Sequence, residues 1–186
     1  MKKIFSLCLV LAMMFSVCVP MAQAEEQLDT YKIFVQTTPA GMSTGNFDLP
    51  FSLEKFPEGA IAADIVYNPE ETKLLKDAKK DGFLCQYNHP RWSMQQDTDF
   101  LNLWDLDLFE VFNNAGEIDL FCGDGEHEYT QFCRGGGRCI PVATDDTHTK
   151  QHLFGGATYI FAEEFNYDNV IDSLEKGNCY ASTGPI

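Results

Sequence analysis

The stretch Arg138-Cys139-Ile140-Pro141-Val142-Ala143-Thr144-Asp145-Asp146-Thr147-His148 reads as a strand over Arg138–Ala143 that runs directly into a polar segment with two acids and a histidine. The same plan recurs upstream. Phe83–Tyr87 is an apolar run ending in Asn88-His89-Pro90, and Leu108–Asn113 is another short strand pattern. Helical patterns fall between such strands. Asn68 offers an N-cap, Pro69 the first helical position and Glu71 the reciprocal acid of a capping box. That helix runs through Leu74, Leu75 and Ala78, with Lys79 and Lys80 at its negative end and Gly82 beyond. Further helices are expected over about Gln95–Leu103, over Glu126–Arg134 before Gly135-Gly136-Gly137, and from Asn166 through Val170, Ile171 and Leu174 to Gly177. Tyr31–Gln36, Ile61–Tyr67, Ala157–Ala162 and Cys179–Ser182 complete the predicted strands, and Thr37–Gly59, with three prolines and three glycines, reads as a long loop. Strands alternating with helices predict parallel pairing and an α/β domain, layered or barrel-like.

Composition narrows the function classes. Lys2 and Lys3, the apolar run Ile4–Val19 and Ala22-Gln23-Ala24 have the three parts of a secretory leader, so residues 1–24 are expected to be removed and the protein secreted or periplasmic. Cleavage leaves residues 25–186, expected to form a single domain. The whole chain carries a formal charge of −15, and losing two lysines and no acid takes it to −17. Such a charge repels long nucleic acids and argues against them as partners. No second run of 18 apolar residues follows the leader, so no helical membrane span is expected. Five cysteines remain (Cys85, Cys122, Cys133, Cys139 and Cys179), an odd number without a C-x-x-C pair, which fits small apolar core residues with one disulfide better than a structural zinc site.

The candidate chemistry lies at the strand ends. His89 follows Phe83–Tyr87, and Asp146 and His148 follow Arg138–Ala143. In a continuing extended backbone, residues two apart project to one side, so Asp146 and His148 would present an oxygen and a nitrogen to one cation. Carboxylate with imidazole suits zinc, manganese or iron. The same residues read equally as a turn and a solvated loop. Arg91 and Trp92 fit anion binding or packing, His127 and His152 read as surface groups, and Asp119–Glu128 lacks the alternating ligands of a calcium loop.

Three motifs resemble the PHP (polymerase and histidinol phosphatase) metallohydrolases: Tyr87-Asn88-His89-Pro90-Arg91-Trp92-Ser93, Pro141–His148 with its Asp-x-His pair, and Gly177-Asn178-Cys179-Tyr180-Ala181-Ser182-Thr183-Gly184-Pro185. The resemblance covers about Lys79–Ile186. It implies an α/β fold, a partial or distorted (β/α)7 PHP-type barrel, with Thr37–Gly59 standing irregularly for missing strands. It further implies an exported phosphoesterase using metal-activated water on a small phosphate ester. His89, Asp146 and His148 match the family's metal ligands, and Arg91 would face the phosphate. The family's N-terminal H-x-H half has no counterpart, since His89 is the first histidine of the chain. The resemblance therefore implies a reduced site of fewer than three divalent ions (Zn, Mn or Fe). Its alternatives are a non-catalytic remnant acting as a binding or structural module, and a truncated product of a full-length enzyme.

Overall fold

The computed structural model describes residues 5–7, 33–36, 53–56, 61–64, 72–103 and 106–184. The chain groups into two compact units, Ser16–Cys85 and Met1–Phe15 with Gln86–Ile186. Among the described residues no helix is long and apolar enough to cross a membrane.

In the Ser16–Cys85 unit, β2 (Ile33–Gln36) pairs in parallel with β3 (Ile61–Asp64), Ile33 opposite Ile61. Helix α1 (Lys73–Lys80) packs against β3, burying Leu74 and Ala78. Its cap is Thr72, whose Oγ1 accepts the Leu75 N–H at 3.3 Å, so the helix starts later than a cap at Asn68 would place it. The expected caps Asn68–Glu71 lie outside the described residues. So does most of the expected loop Thr37–Gly59; within it Leu53–Lys55 forms a 3-10 turn, and Phe56 meets Phe83 edge to face at 6.1 Å.

The second unit is built on a parallel three-stranded sheet in the order β4 (Gln86–Tyr87), β5 (Leu108–Asn113), β6 (Ile140–Thr144). The connections carry α2 (Asp97–Phe100), α3 (Asn114–Leu120) and α4 (Glu126–Arg134). Opposite β6 the register of β5 jumps between Glu110 and Phe112, making Val111 a bulge. The bulged edge is taken up by the segment after α3: Gly125 N–H donates to Val111 O at 2.9 Å and Asn113 N–H to Gly123 O at 2.9 Å.

The last strands depart from the parallel expectation. β7 (Ala157–Ile160) and β8 (Cys179–Ser182) are antiparallel, and β1 (Phe5–Leu7) pairs antiparallel with the other side of β7. The reversal follows from α5 (Tyr167–Glu175), which ends at Gly177 in a left-handed conformation. The chain then doubles back so that Phe161 N–H reaches Asn178 O at 2.9 Å. β7 meets β6 through a side chain: Thr158 Oγ1 accepts the Ala143 N–H at 3.0 Å and donates to the Ala143 carbonyl at 2.9 Å. The described strands thus form three separate sheets in a mixed α/β fold, and a barrel is not what they display. Apart from Phe5–Leu7, the expected leader lies outside the described residues.

The core of this unit is aromatic. Phe100, Phe109 and Phe132 are fully buried, and Tyr87, Leu101, Leu103, Val111 and Tyr129 pack on them. Phe109 is the hub, its ring 5.4 Å from Tyr87, 5.5 Å from Tyr129 and 5.6 Å from Phe132. Phe109→Ala is expected to cost about 3–5 kcal/mol in urea unfolding, whereas Met94→Ala, at an 82% exposed side chain, should stay within about 0.5 kcal/mol.

Candidate functional site

The period of two along β5 places Phe109 on the aromatic side of the sheet and Glu110 on the other. Glu110 is only 3% exposed, a carboxylate set between Phe109 and Val111 in β5. Such a group requires donors, and three converge on it. The His89 backbone N–H donates to Oε2 at 2.6 Å, Asn113 Nδ2 donates to the same oxygen at 3.2 Å, and the Thr144 hydroxyl donates to Oε1 at 2.5 Å. One donor follows β4, one ends β5 and one ends β6, so the cluster lies at the carboxyl edge of the parallel sheet, where α/β folds build their sites. Burial pushes the Glu110 carboxyl above the ordinary carboxylate range, against the opposing pull of the Thr144, His89 and Asn113 donors.

Asn113 extends the cluster outward, its Nδ2 also donating to Asp146 Oδ2 at 3.1 Å. Its Oδ1 meanwhile accepts the Gly116 N–H at 2.8 Å and caps α3. Asp145 is buried and organises the following loop, accepting backbone N–H groups of Phe154, Gly155 and Gly156 at 2.7, 2.9 and 2.8 Å.

Of the residues predicted from sequence, His89 and Asp146 are brought to this one network. His89 contributes its backbone; its ring Nδ1 shares a hydrogen bond with Ser93 Oγ at 2.9 Å and its edge meets Trp92 at 5.2 Å. Asp146 has φ +46, so the extended backbone assumed between Asp146 and His148 is broken at its first residue. His148 is turned toward His152, with ring centroids 6.0 Å apart. Arg91 is exposed and its Nη1 donates to Asp124 O at 3.2 Å, tying the loop after β4 to the segment that borders β5. His152, expected at the surface, is 1% exposed: its Nδ1 accepts the His148 N–H at 3.1 Å and its Nε2 faces Asp119 Oδ1 at 3.2 Å. Glu110 was missed from the sequence, although a lone acid between Phe109 and Val111 is the signal that finds it. The five cysteines from Cys85 to Cys179 are free thiols.

No family model matches the chain. Curated relatives are shikimate dehydrogenases (NADP(+)). That of Lysinibacillus sphaericus strain C3-41 is 50% identical over 64 residues, 34% of this chain and 23% of the relative. That of Geobacillus sp. strain WCH70 is 42% identical over 71 residues, 38% and 26% of the two chains. That of Bacillus subtilis strain 168 is 43% identical over 60 residues, 32% and 21%. The chain therefore spans about a quarter of the length of the curated relatives it matches. Among solved structures, a two-domain protein from Bacteroides vulgatus ATCC 8482 containing a predicted PHP-like metal-dependent phosphoesterase aligns at TM-score 0.43 and 22% identity, over 63% of this chain and 38% of that one.

These findings correct the functional expectation. The relatives are oxidoreductases, which overturns the reading as an exported metal-dependent phosphoesterase or a remnant of one, together with its hydrolase classification. The relatives' printed cofactor is NADP(+), and among the described residues no group of three or more His, Cys, Asp or Glu could hold a metal ion. The divalent-metal expectation for zinc, manganese or iron falls on both counts.

The raised proton affinity of Glu110 has a definite sign in stability. Over the pH interval between its unfolded and folded titrations, the folded chain holds the extra proton, so stability falls as pH rises. Glu110→Gln should remove that part of the slope in urea unfolding followed from pH 4 to pH 8; an unchanged slope would contradict the assignment.

Proposed function

We propose that the Gln86–Ile186 unit binds a small hydroxylated carboxylic acid at the carboxyl edge of the β4-β5-β6 sheet and moves a hydroxyl proton at Glu110. The observation that carries this reading is the burial of Glu110 among donors from three strand ends, which also raises its proton affinity. Asp146 and His89 flank that carboxylate, and the shikimate dehydrogenase relatives supply the ligand class.

The relatives' dinucleotide does not fit the described residues. A pyrophosphate cradle needs a glycine turn between a strand and the helix that it opens. Gly135–Gly137 has the reverse order, leading from α4 to β6. Gly155 and Gly156 are filled by packing: a Cβ would lie 2.1 Å from Asn114 Oδ1 at the first and 2.3 Å from Thr144 O at the second. No step is therefore routed through NADP, and the reading is confined to ligand and proton.

The motifs around His89, Asp146–His148 and Tyr180 support a PHP-type scaffold as a proposal about fold alone. Export rests on Lys2, Lys3, Ile4–Val19 and Ala22-Gln23-Ala24.

Saturating shikimate should raise the melting temperature of the protein by several degrees at pH 7, an effect reduced at least about tenfold in apparent affinity by Glu110→Gln. No shift in the parent protein would refute the reading, as would an equal shift in the variant.

A further inference from the structure

Large apolar side chains face solvent at the end of α3 and in the connection after β4. Leu120 and Phe121 close the helix and are both exposed. Trp92, also exposed, lies over the same helix: a Cβ on Gly116 would stand 3.5 Å from its Cδ1, and Leu120 is one turn beyond Gly116 on that face. Met94 belongs to the turn that carries Trp92, its N–H donating to Arg91 O at 3.0 Å. Two of these four residues are costly twice over. Phe121 ends α3 at φ +54 and Met94 stands at φ +53, a conformation that favours glycine. Their side chains are 81% and 82% exposed, so the fold gains little packing in return. Strain combined with exposed apolar surface marks an interaction site rather than a folding need.

We propose that Trp92, Met94, Leu120 and Phe121 form a docking surface for a basic amphipathic segment of another protein. The apolar side of that segment lies on these four side chains, and its lysines or arginines meet the acids around them. Charge selects this occupant. From Gln86 to Glu126 the chain carries nine Asp and Glu against a single Lys or Arg, Arg91. The guanidinium of Arg91 is held on Asp124 O, while Asp97, Asp119, Asp124 and Glu126 are exposed. A second copy of the chain would set this acidic surface against itself, and a whole-chain charge of −15 repels an anionic lipid surface as well. A cationic partner gains from the same field, and the aromatic and Met side chains supply the buried anchors. None of the four side chains takes part in the hydrogen bonds around Glu110, so the inference stands apart from the ligand reading of that site.

The probe is a synthetic amphipathic helix of leucine and lysine, about 18 residues long, titrated onto the whole protein at about 0.15 M salt. Saturable binding is expected, with a blue shift of tryptophan emission that disappears in Trp92→Phe. The double variant Met94→Gly, Phe121→Gly should bind the peptide at least about tenfold more weakly. It should also melt no lower than the parent, because glycine relieves both left-handed positions, so lost binding is not lost folding. A peptide with glutamate in place of lysine should not bind. Equal affinity in parent and double variant would show attraction by charge alone and overturn the proposal, as would an unshifted emission in the parent. Two further results would assign the surface to another occupant and overturn it equally: sedimentation of the parent as a dimer that the double variant abolishes, or adsorption of the parent to phosphatidylglycerol vesicles.

Discussion

Three strand ends meet on one carboxylate. Glu110 receives the N–H of His89 after β4, the amide of Asn113 at the end of β5 and the hydroxyl of Thr144 at the end of β6. A parallel sheet leaves its carboxyl edge to loops, and loops hold a fixed arrangement only where something ties them. An acid at 3% exposure does so strongly, because any donor that leaves it strands a polar oxygen in an apolar interior. The same constraint that makes Glu110 expensive to bury keeps its neighbours in register.

The ties extend outward from there in two directions. Asn113 joins Glu110 to Asp146 and at the same time caps α3, so the helix start and the loop after β6 share one side chain. Asp145 then holds the far end of that loop through three N–H groups, and Asn114 Nδ2 donates to His152 O at 2.7 Å. The buried His152 closes the circuit onto Asp119 of α3. The polar groups of this edge are thus nearly all accounted for by one another.

Much of the element order was legible because local signals agreed with the final packing. Leu108–Asn113, Glu126–Arg134, Cys179–Ser182 and the helix capped by Asn166 appear where apolar spacing and glycine stops place them. What was illegible depended on distant partners. Asn114–Leu120 has no helix among the sequence expectations, yet it is α3, its first turn fixed by Ala115 N–H donating to Asp145 O at 3.1 Å. His152 sits beside Gln151 and looks solvated; it is buried because Asp119 and the His148 N–H satisfy both ring nitrogens. The Asp146–His148 pair failed through backbone conformation, since alternation holds only while the chain stays extended and β6 stops at Thr144. The antiparallel turn of β7 and β8 is likewise a matter of where α5 delivers the chain, which strand and helix periodicity does not encode.

Backbone conformation also explains how the site is aimed. Among the described residues, the non-glycine residues with positive φ are His89, Met94, Phe121, Asp146 and Phe154, all in the connections that follow β4, β5 and β6. None is a residue without a side chain, so each conformation costs about 1 kcal/mol, and five together approach the lower end of a domain's net stability. Such a concentration has to be offset by the aromatic core beneath it and by the Asp145 and Glu110 hydrogen bonds. In two of the five the gain is visible. The left-handed turn at His89 points its N–H at Glu110 while freeing the ring for Ser93 and Trp92, and the one at Asp146 turns its carboxylate back onto Asn113. At these two residues the strain orients polar groups around one buried acid, which a sheet edge held only by extended backbone would have left pointing away from each other.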